Sequence, residues 1–164
     1  MKRSLTVAAL AVAQLALVGV AVAPQFSARV AGDTYLMTVA PLDPIDPFRG
    51  AYVTLDYPDL RHDGSVGFDG GVGALDDGDQ GDVYIPIVRE GDVWIAEDWT
   101  RGRPDDGPYL TCNDRSWQVR CGIESFFLPQ DEAAKTEELL RDGAVAEVRI
   151  DSRGNATVVD VRAP

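Results

Sequence analysis

Histidine and lysine are nearly missing from this chain: there is one histidine, His62, and there are two lysines, Lys2 and Lys135. Ser–His–Asp and Cys–His catalysis needs a positioned imidazole, and multi-histidine metal centres need several, so most of that chemistry is excluded at the outset. Basic residues are scarce as a class, 15 against 27 acidic ones, for a formal charge of -12. A surface of that sign repels nucleic acid, which is bound through clustered Lys and Arg. Two cysteines are too few for a four-cysteine zinc site, and they do not have Cys-x-x-Cys spacing. No internal repeat is visible. The remaining composition is ordinary: 164 residues, 45% hydrophobic and 26% charged, enough apolar side chain for one packed domain.

The long hydrophobic run lies at the N-terminus. Met1-Lys2-Arg3 is followed, after Ser4, by LTVAALAVAQLALVGVAVA from Leu5 to Ala23. As a helix this run reaches roughly 28 Å, about the thickness of a bilayer core. The basic flank is expected to stay in the cytoplasm, which places the rest of a single-pass cell-membrane protein outside it. Ala21-Val22-Ala23 has the small-x-small form of a signal cleavage site, and a cleaved signal is the alternative. Pro24 would follow that cut, however, and the run exceeds the usual signal core of about 7–15 residues. The expectation is an uncleaved anchor over residues 1–23, a spacer over 24–33 and an extracytoplasmic domain over 34–164. Without Lys2 and Arg3 the exported part holds 27 acidic against 13 basic residues. It should not bind an anionic membrane surface electrostatically.

Most of the exported part reads as extended chain. Thr34–Ala40 is rich in aromatic and β-branched residues and predicts a strand. In 51–57, Ala51, Val53, Leu55 and Tyr57 alternate with Tyr52, Thr54 and Asp56, the period of a half-buried strand. Residues 59–81 are an Asp/Gly loop with too little apolar side chain to offset its ordering entropy. Val83–Arg89 and Val93–Asp98 flank Glu90-Gly91-Asp92 as a hairpin, and Pro86 suggests that the first strand lies at an edge or carries a bulge. Tyr109–Cys112, Trp117–Gly122 and the apolar run Ile123–Leu128 follow. Asp131–Arg141 is the one convincing helix of the domain, with acids at its start and Gly143 as its stop. Ala144–Ile150 and Thr157–Arg162 form a last hairpin, with Val159 and Val161 on its apolar face. The sum is mainly β (α+β): a transmembrane helix, then an antiparallel β domain with one packed helix.

Gly50-Ala51-Tyr52-Val53-Thr54-Leu55-Asp56-Tyr57 resembles the signature of the GDYXXLXY family of bacterial membrane-associated proteins. Gly50, Tyr52, Leu55 and Tyr57 match, whereas Ala51 stands where the family has Asp. The lead-in from Asp43 to Gly50, which includes Arg49, is similar to the family's, as is Gly122-Ile123-Glu124-Ser125-Phe126-Phe127-Leu128-Pro129. The resemblance spans the chain from about Pro41 onward. It implies one N-terminal membrane helix, an extracytoplasmic domain and relatives encoded beside, or fused to, multi-pass membrane proteins. It implies no catalytic residue, because the family's activity is unassigned. If the family's Asp has a ligand or acid role, Ala51 has lost it. The residues themselves point to structure first: Val53, Leu55 and Tyr57 share one face and should meet the core, with Tyr52 on the other.

Other candidates for chemistry have simpler structural readings. Cys112 and Cys121 in an exported domain are expected to be a disulfide, closing a loop worth roughly 2.5–3 kcal/mol. The Asp/Gly loop offers hard oxygen ligands for Ca²⁺, but it lacks EF-hand order, so no metal is assigned. Trp94, Trp99 and Trp117 are possible ligand-binding aromatics for a glycan, or else core and loop anchors. His62 beside Asp63 is a weak general base, Ser65 lacks a GxSxG setting, and Lys135 sits in the charged helix rather than on a strand beside a serine. The expected function is a non-enzymatic interaction module without a cofactor, working with a multi-pass membrane protein. A small-ligand or Ca²⁺-binding envelope module is the alternative, and an envelope hydrolase comes third.

Overall fold

The N-terminal apolar run is helical, but the helix does not stop where the run does. In a computed structural model, which describes residues 2–41, 52–61, 75, 78–116, 118–141 and 143–164, α1 spans Lys2–Ala31. Pro24 removes one backbone donor from it without ending it. The residues expected as a spacer therefore form two further helical turns. From Val7 to Val22 the large apolar side chains stand exposed. Thr6–Ala31 is long and apolar enough to cross a membrane, and its most apolar stretch is not buried in the protein.

Among the described residues, eight strands and a second α-helix follow. They are β1 (Asp33–Pro41), β2 (Tyr52–Asp56), β3 (Asp82–Glu90), β4 (Val93–Ala96), β5 (Tyr109–Asn113) and β6 (Ser125–Phe127), then α2 (Gln130–Arg141), β7 (Ala144–Ile150) and β8 (Ala156–Arg162). One sheet has the order β6-β2-β1-β7-β8 and the other β4-β3-β5. All pairings are antiparallel. Sequence-distant strands are adjacent because β1, the first strand, forms the middle of the larger sheet. Its Met37 and Val39 face the same core as Ala146 and Val148 of β7 and Val83, Ile85 and Leu110 of the smaller sheet. Across the two sheets Trp94 meets Tyr35 edge-on, with ring centroids 4.9 Å apart. Helix α2 packs on β1, β2 and β7 and buries Leu140. Gly143 follows it with φ +94°, a conformation that suits the position after a helix C-terminus.

Two expectations from sequence periodicity are corrected. Strand β3 is central in its sheet, although it contains Pro86. On the side of β4 its ladder is interrupted between the Ile87–Ala96 pair and the Tyr84–Thr100 bridge. Pro86 falls in that gap, where only its carbonyl is used, by Glu97 N–H at 2.9 Å. In β8 the buried residues are Ala156, Val158 and Val161 rather than the alternating Val159 and Val161. A bulge causes this: Val148 pairs with Val158 and Glu147 with Asp160, so Val159 is the extra residue and the facing pattern resets.

Cys112 and Cys121 are joined as a disulfide that ties β5 to the segment before β6. Leu55 is among the most completely buried side chains. Leu55→Ala should destabilise the domain by about 2–5 kcal/mol through lost transfer energy and a residual cavity. Denaturant unfolding of the purified chain checks this, and a change under about 1 kcal/mol would contradict the packing described.

Candidate functional site

Two residue clusters merit a functional reading: the motif strand β2 and the junction between α1 and the domain. In β2 and just beyond it, Val53, Leu55 and Tyr57 are all buried, as their shared face predicts. Leu55 N–H donates to the Glu124 carbonyl and the Tyr57 hydroxyl to the Ile123 carbonyl, both at 2.9 Å. Burial, and next the Glu124 charge, push the Tyr57 hydroxyl well above the usual phenol range, so it stays a donor. The Glu124 carboxylate in turn accepts the backbone N–H groups of Cys121 and Gly122. The motif strand and the Gly122-Ile123-Glu124 stretch, far apart in the chain, are thus one hydrogen-bonded unit.

Asp56 ends β2 as a buried carboxylate paired with Arg61. Its Oδ1 and the Arg61 Nε have no hydrogen-bond partner among the described residues. Trp99 is 5% exposed and its indole N–H donates to the Leu60 carbonyl at 3.0 Å, which leaves no open ring face for a sugar. Trp94 is half-buried against Tyr35. Arg49, Gly50, Ala51, His62 and Trp117 lie outside the described residues, as does most of the acidic loop; for Tyr52 only the backbone is described. Among the described residues no group of three or more His, Cys, Asp or Glu side chains is placed to hold a metal ion. The end of the acidic loop is held by a buried carboxylate instead: Asp114 accepts Gly81 N–H and the Arg101 guanidinium, each at 2.7 Å.

The junction is built on the turn between β7 and β8. The Asp151 carboxylate is 8% exposed. It accepts the Ser27 hydroxyl of α1 at 2.5 Å, the backbone N–H groups of Arg153 and Asn155 at 2.9 and 3.1 Å, and the Asn155 side-chain amide at 2.9 Å. Desolvation disfavours the charged form. The bonds from the Asn155 and Ser27 side chains and from the Arg153 and Asn155 backbones outweigh it and bring the carboxyl down to about 2.

Arg149 completes the lock from β7. Its guanidinium donates to the Arg29 carbonyl at 2.5 Å and twice to the Gly32 carbonyl, at 2.8 and 3.1 Å, satisfying acceptors that the end of α1 leaves open. Ala28 is fully buried there. At Gly32 a Cβ would lie 2.4 Å from the Ala28 carbonyl oxygen and 2.9 Å from the Ile150 backbone. The same turn touches the smaller sheet: Thr111 N–H donates to the Gly154 carbonyl at 2.8 Å, and Thr111 Oγ1 to the Arg153 carbonyl at 2.8 Å. Gly154, with φ +77°, leaves only 2.5 Å between a built Cβ and Tyr109 or Thr111. A cleft of about 340 Å³ opens beside this junction, lined by Ser27, Asp33, Tyr35, Tyr109, Asp151 and Arg153 among others.

Comparison with known protein families matches residues 14–161 to the family described as GDYXXLXY protein. The chain belongs to that family. No curated protein and no solved structure matches it. The match begins inside α1 and covers both the junction and the motif strand of this GDYXXLXY protein. Sequence reasoning found Leu55, Tyr57 and the cysteine pair, but it did not find Ser27, Gly32, Arg149 or Asp151. The turn itself lies where the last hairpin, Ala144–Ile150 with Thr157–Arg162, is expected. Its partner in α1, 124 positions away, carries no local signal.

A depressed carboxyl stabilises the fold at pH above its unfolded value of 3.8, and that contribution disappears as pH falls through about 2. It amounts to about 2 kcal/mol at neutral pH. Asp151→Asn should therefore melt below the wild type at pH 7, and the gap should shrink between pH 4 and pH 2; thermal melts across that range check it. Gly32→Ala should unseat the end of α1 while sparing the core. Trypsin should then cut after Arg29 in detergent-solubilised Gly32→Ala protein under conditions in which the wild type stays whole.

Proposed function

We propose that this protein is a single-pass membrane protein whose β domain stands outside the cytoplasm in a fixed pose on its own helix. It works there by contact with a multi-pass membrane protein, not by catalysis. The observation that carries the reading is α1 itself, bare over its apolar run and locked to the domain at its last turns. A tether alone needs only a flexible linker. A helix joined through Ser27, Ala28 and Gly32 also sets the orientation of the domain, which matters when one face must meet a partner in the same membrane.

Three further features support the reading. Lys2 and Arg3 precede the apolar run, as in helices whose N-terminus stays in the cytoplasm. The Cys112–Cys121 disulfide suits an oxidising compartment. Lys135, one of the few candidate catalytic bases, is exposed on α2. The partner is drawn from the family resemblance, in which such domains accompany multi-pass proteins.

Carbonate washing should leave the full chain in the membrane fraction, and protease added to intact spheroplasts should remove the domain. Release of a mature chain beginning near Pro24 would sink the anchor. In mild detergent the full chain should recover a multi-pass membrane protein, and Gly32→Ala should recover several-fold less of it. Equal recovery would show that tethering suffices and that the pose has no role.

A further inference from the structure

Among the described residues, the large apolar side chains left exposed outside the run Val7–Val22 are Phe26, Val30, Val88 and Phe127. Three of the four lie where α1 meets the domain. Phe26 and Val30 are on the last turns of α1. Phe127 is on β6 and borders a cleft of about 330 Å³ whose other wall includes Gln25 and Arg29 of α1. At 1.5 Å per residue, Gln25 and Arg29 stand roughly 3 and 9 Å beyond Ala23, the last residue of the apolar run. Phe127 is 77% exposed, more than any large apolar side chain described in that run, where Val20 reaches 73%.

We infer that the β6 edge of the domain, through Phe127 together with Phe26, is seated in the headgroup zone of the bilayer that α1 crosses. This rests on the proposed spanning role of α1. Covalent geometry supplies the argument, because the docked helix places β6 beside the level at which α1 leaves the hydrocarbon. That zone adds roughly 6 Å on each side of the apolar core, and aromatic rings concentrate there. Depth is limited by β6 itself. Among the described residues it is the end strand of its sheet, and strand backbone at an edge needs polar partners rather than hydrocarbon. The contact is apolar, not electrostatic: the domain is strongly acidic, and the nearby Glu124 carboxylate is engaged by Cys121 and Gly122. A zwitterionic bilayer therefore suffices.

The test uses the full chain in phosphatidylcholine vesicles with a nitroxide at Phe127→Cys, the native cysteines being bonded to each other. Reference labels go at Val12→Cys within α1 and at Asp92→Cys in the β3–β4 turn. Power saturation compares accessibility to oxygen with accessibility to a nickel chelate. The label at 127 should have an oxygen-to-nickel ratio several-fold above that at 92 and below that at 12. A ratio at 127 equal to that at 92, with 12 still lipid-like, overturns the inference and leaves Phe127 to a protein partner, while the spanning reading stands. A water-like ratio at 12 overturns the spanning reading and this inference with it. An unlabelled Phe127→Ser protein that melts like the wild type excludes a folding role for the ring, and a collapsed melt would instead assign the ring to the domain's stability.

Discussion

A buried carboxylate cannot remain ionised without donors around it, and Asp151 organises the junction of this protein for that reason. Its hydrogen bonds draw in the hydroxyl of Ser27, two turn amides and the Asn155 side chain. The same turn receives Thr111 from the smaller sheet. Three parts of the molecule, namely the long helix and both sheets, converge on five residues. Arg149 then closes the helix end by taking up its open carbonyls. The glycines at 32 and 154 are where backbone and side chain come too close for a Cβ. The junction is thus a consequence of electrostatic satisfaction and of steric room together.

The motif strand obeys a different constraint. Val53, Leu55 and Tyr57 are core residues, and their neighbourhood is held by the Leu55 N–H bond to the Glu124 carbonyl and the Tyr57 hydroxyl bond to the Ile123 carbonyl. This is the physical content of a signature made of small, aromatic and aliphatic positions: a strand whose one face is buried and whose end is anchored by a phenol. The Asp56–Arg61 pair beside it, with Asp56 buried and Arg61 partly exposed, carries two buried atoms with no hydrogen-bond partner among the described residues, an arrangement that costs stability unless something offsets it.

Apolar surface is divided sharply in this molecule. The domain hides its own in a core shared by both sheets, whereas α1 exposes nearly all of its run. Among the described residues the exceptions Phe26, Val30 and Phe127 gather where helix meets domain, so the change from apolar to polar surface coincides with the locked junction.

Local patterns in the sequence determined the apolar N-terminal run, the strand period of 51–57, helix α2 with its glycine stop, the last hairpin and the cysteine pair. Each depends on residues within about a dozen positions, where propensity and periodicity act. The tertiary structure alone decided that α1 continues past Pro24 and that Pro86 sits in a central strand, because the gap in the neighbouring ladder removes the need for its N–H. It also decided that Val158 rather than Val159 is buried, since a bulge depends on two strands and not on one. The pairing of Ser27 with Asp151 and of Tyr57 with Ile123 likewise belongs to the folded state. Hydrogen bonds spanning 124 and 66 positions leave no periodic trace, because their partners are chosen by where packing carries them.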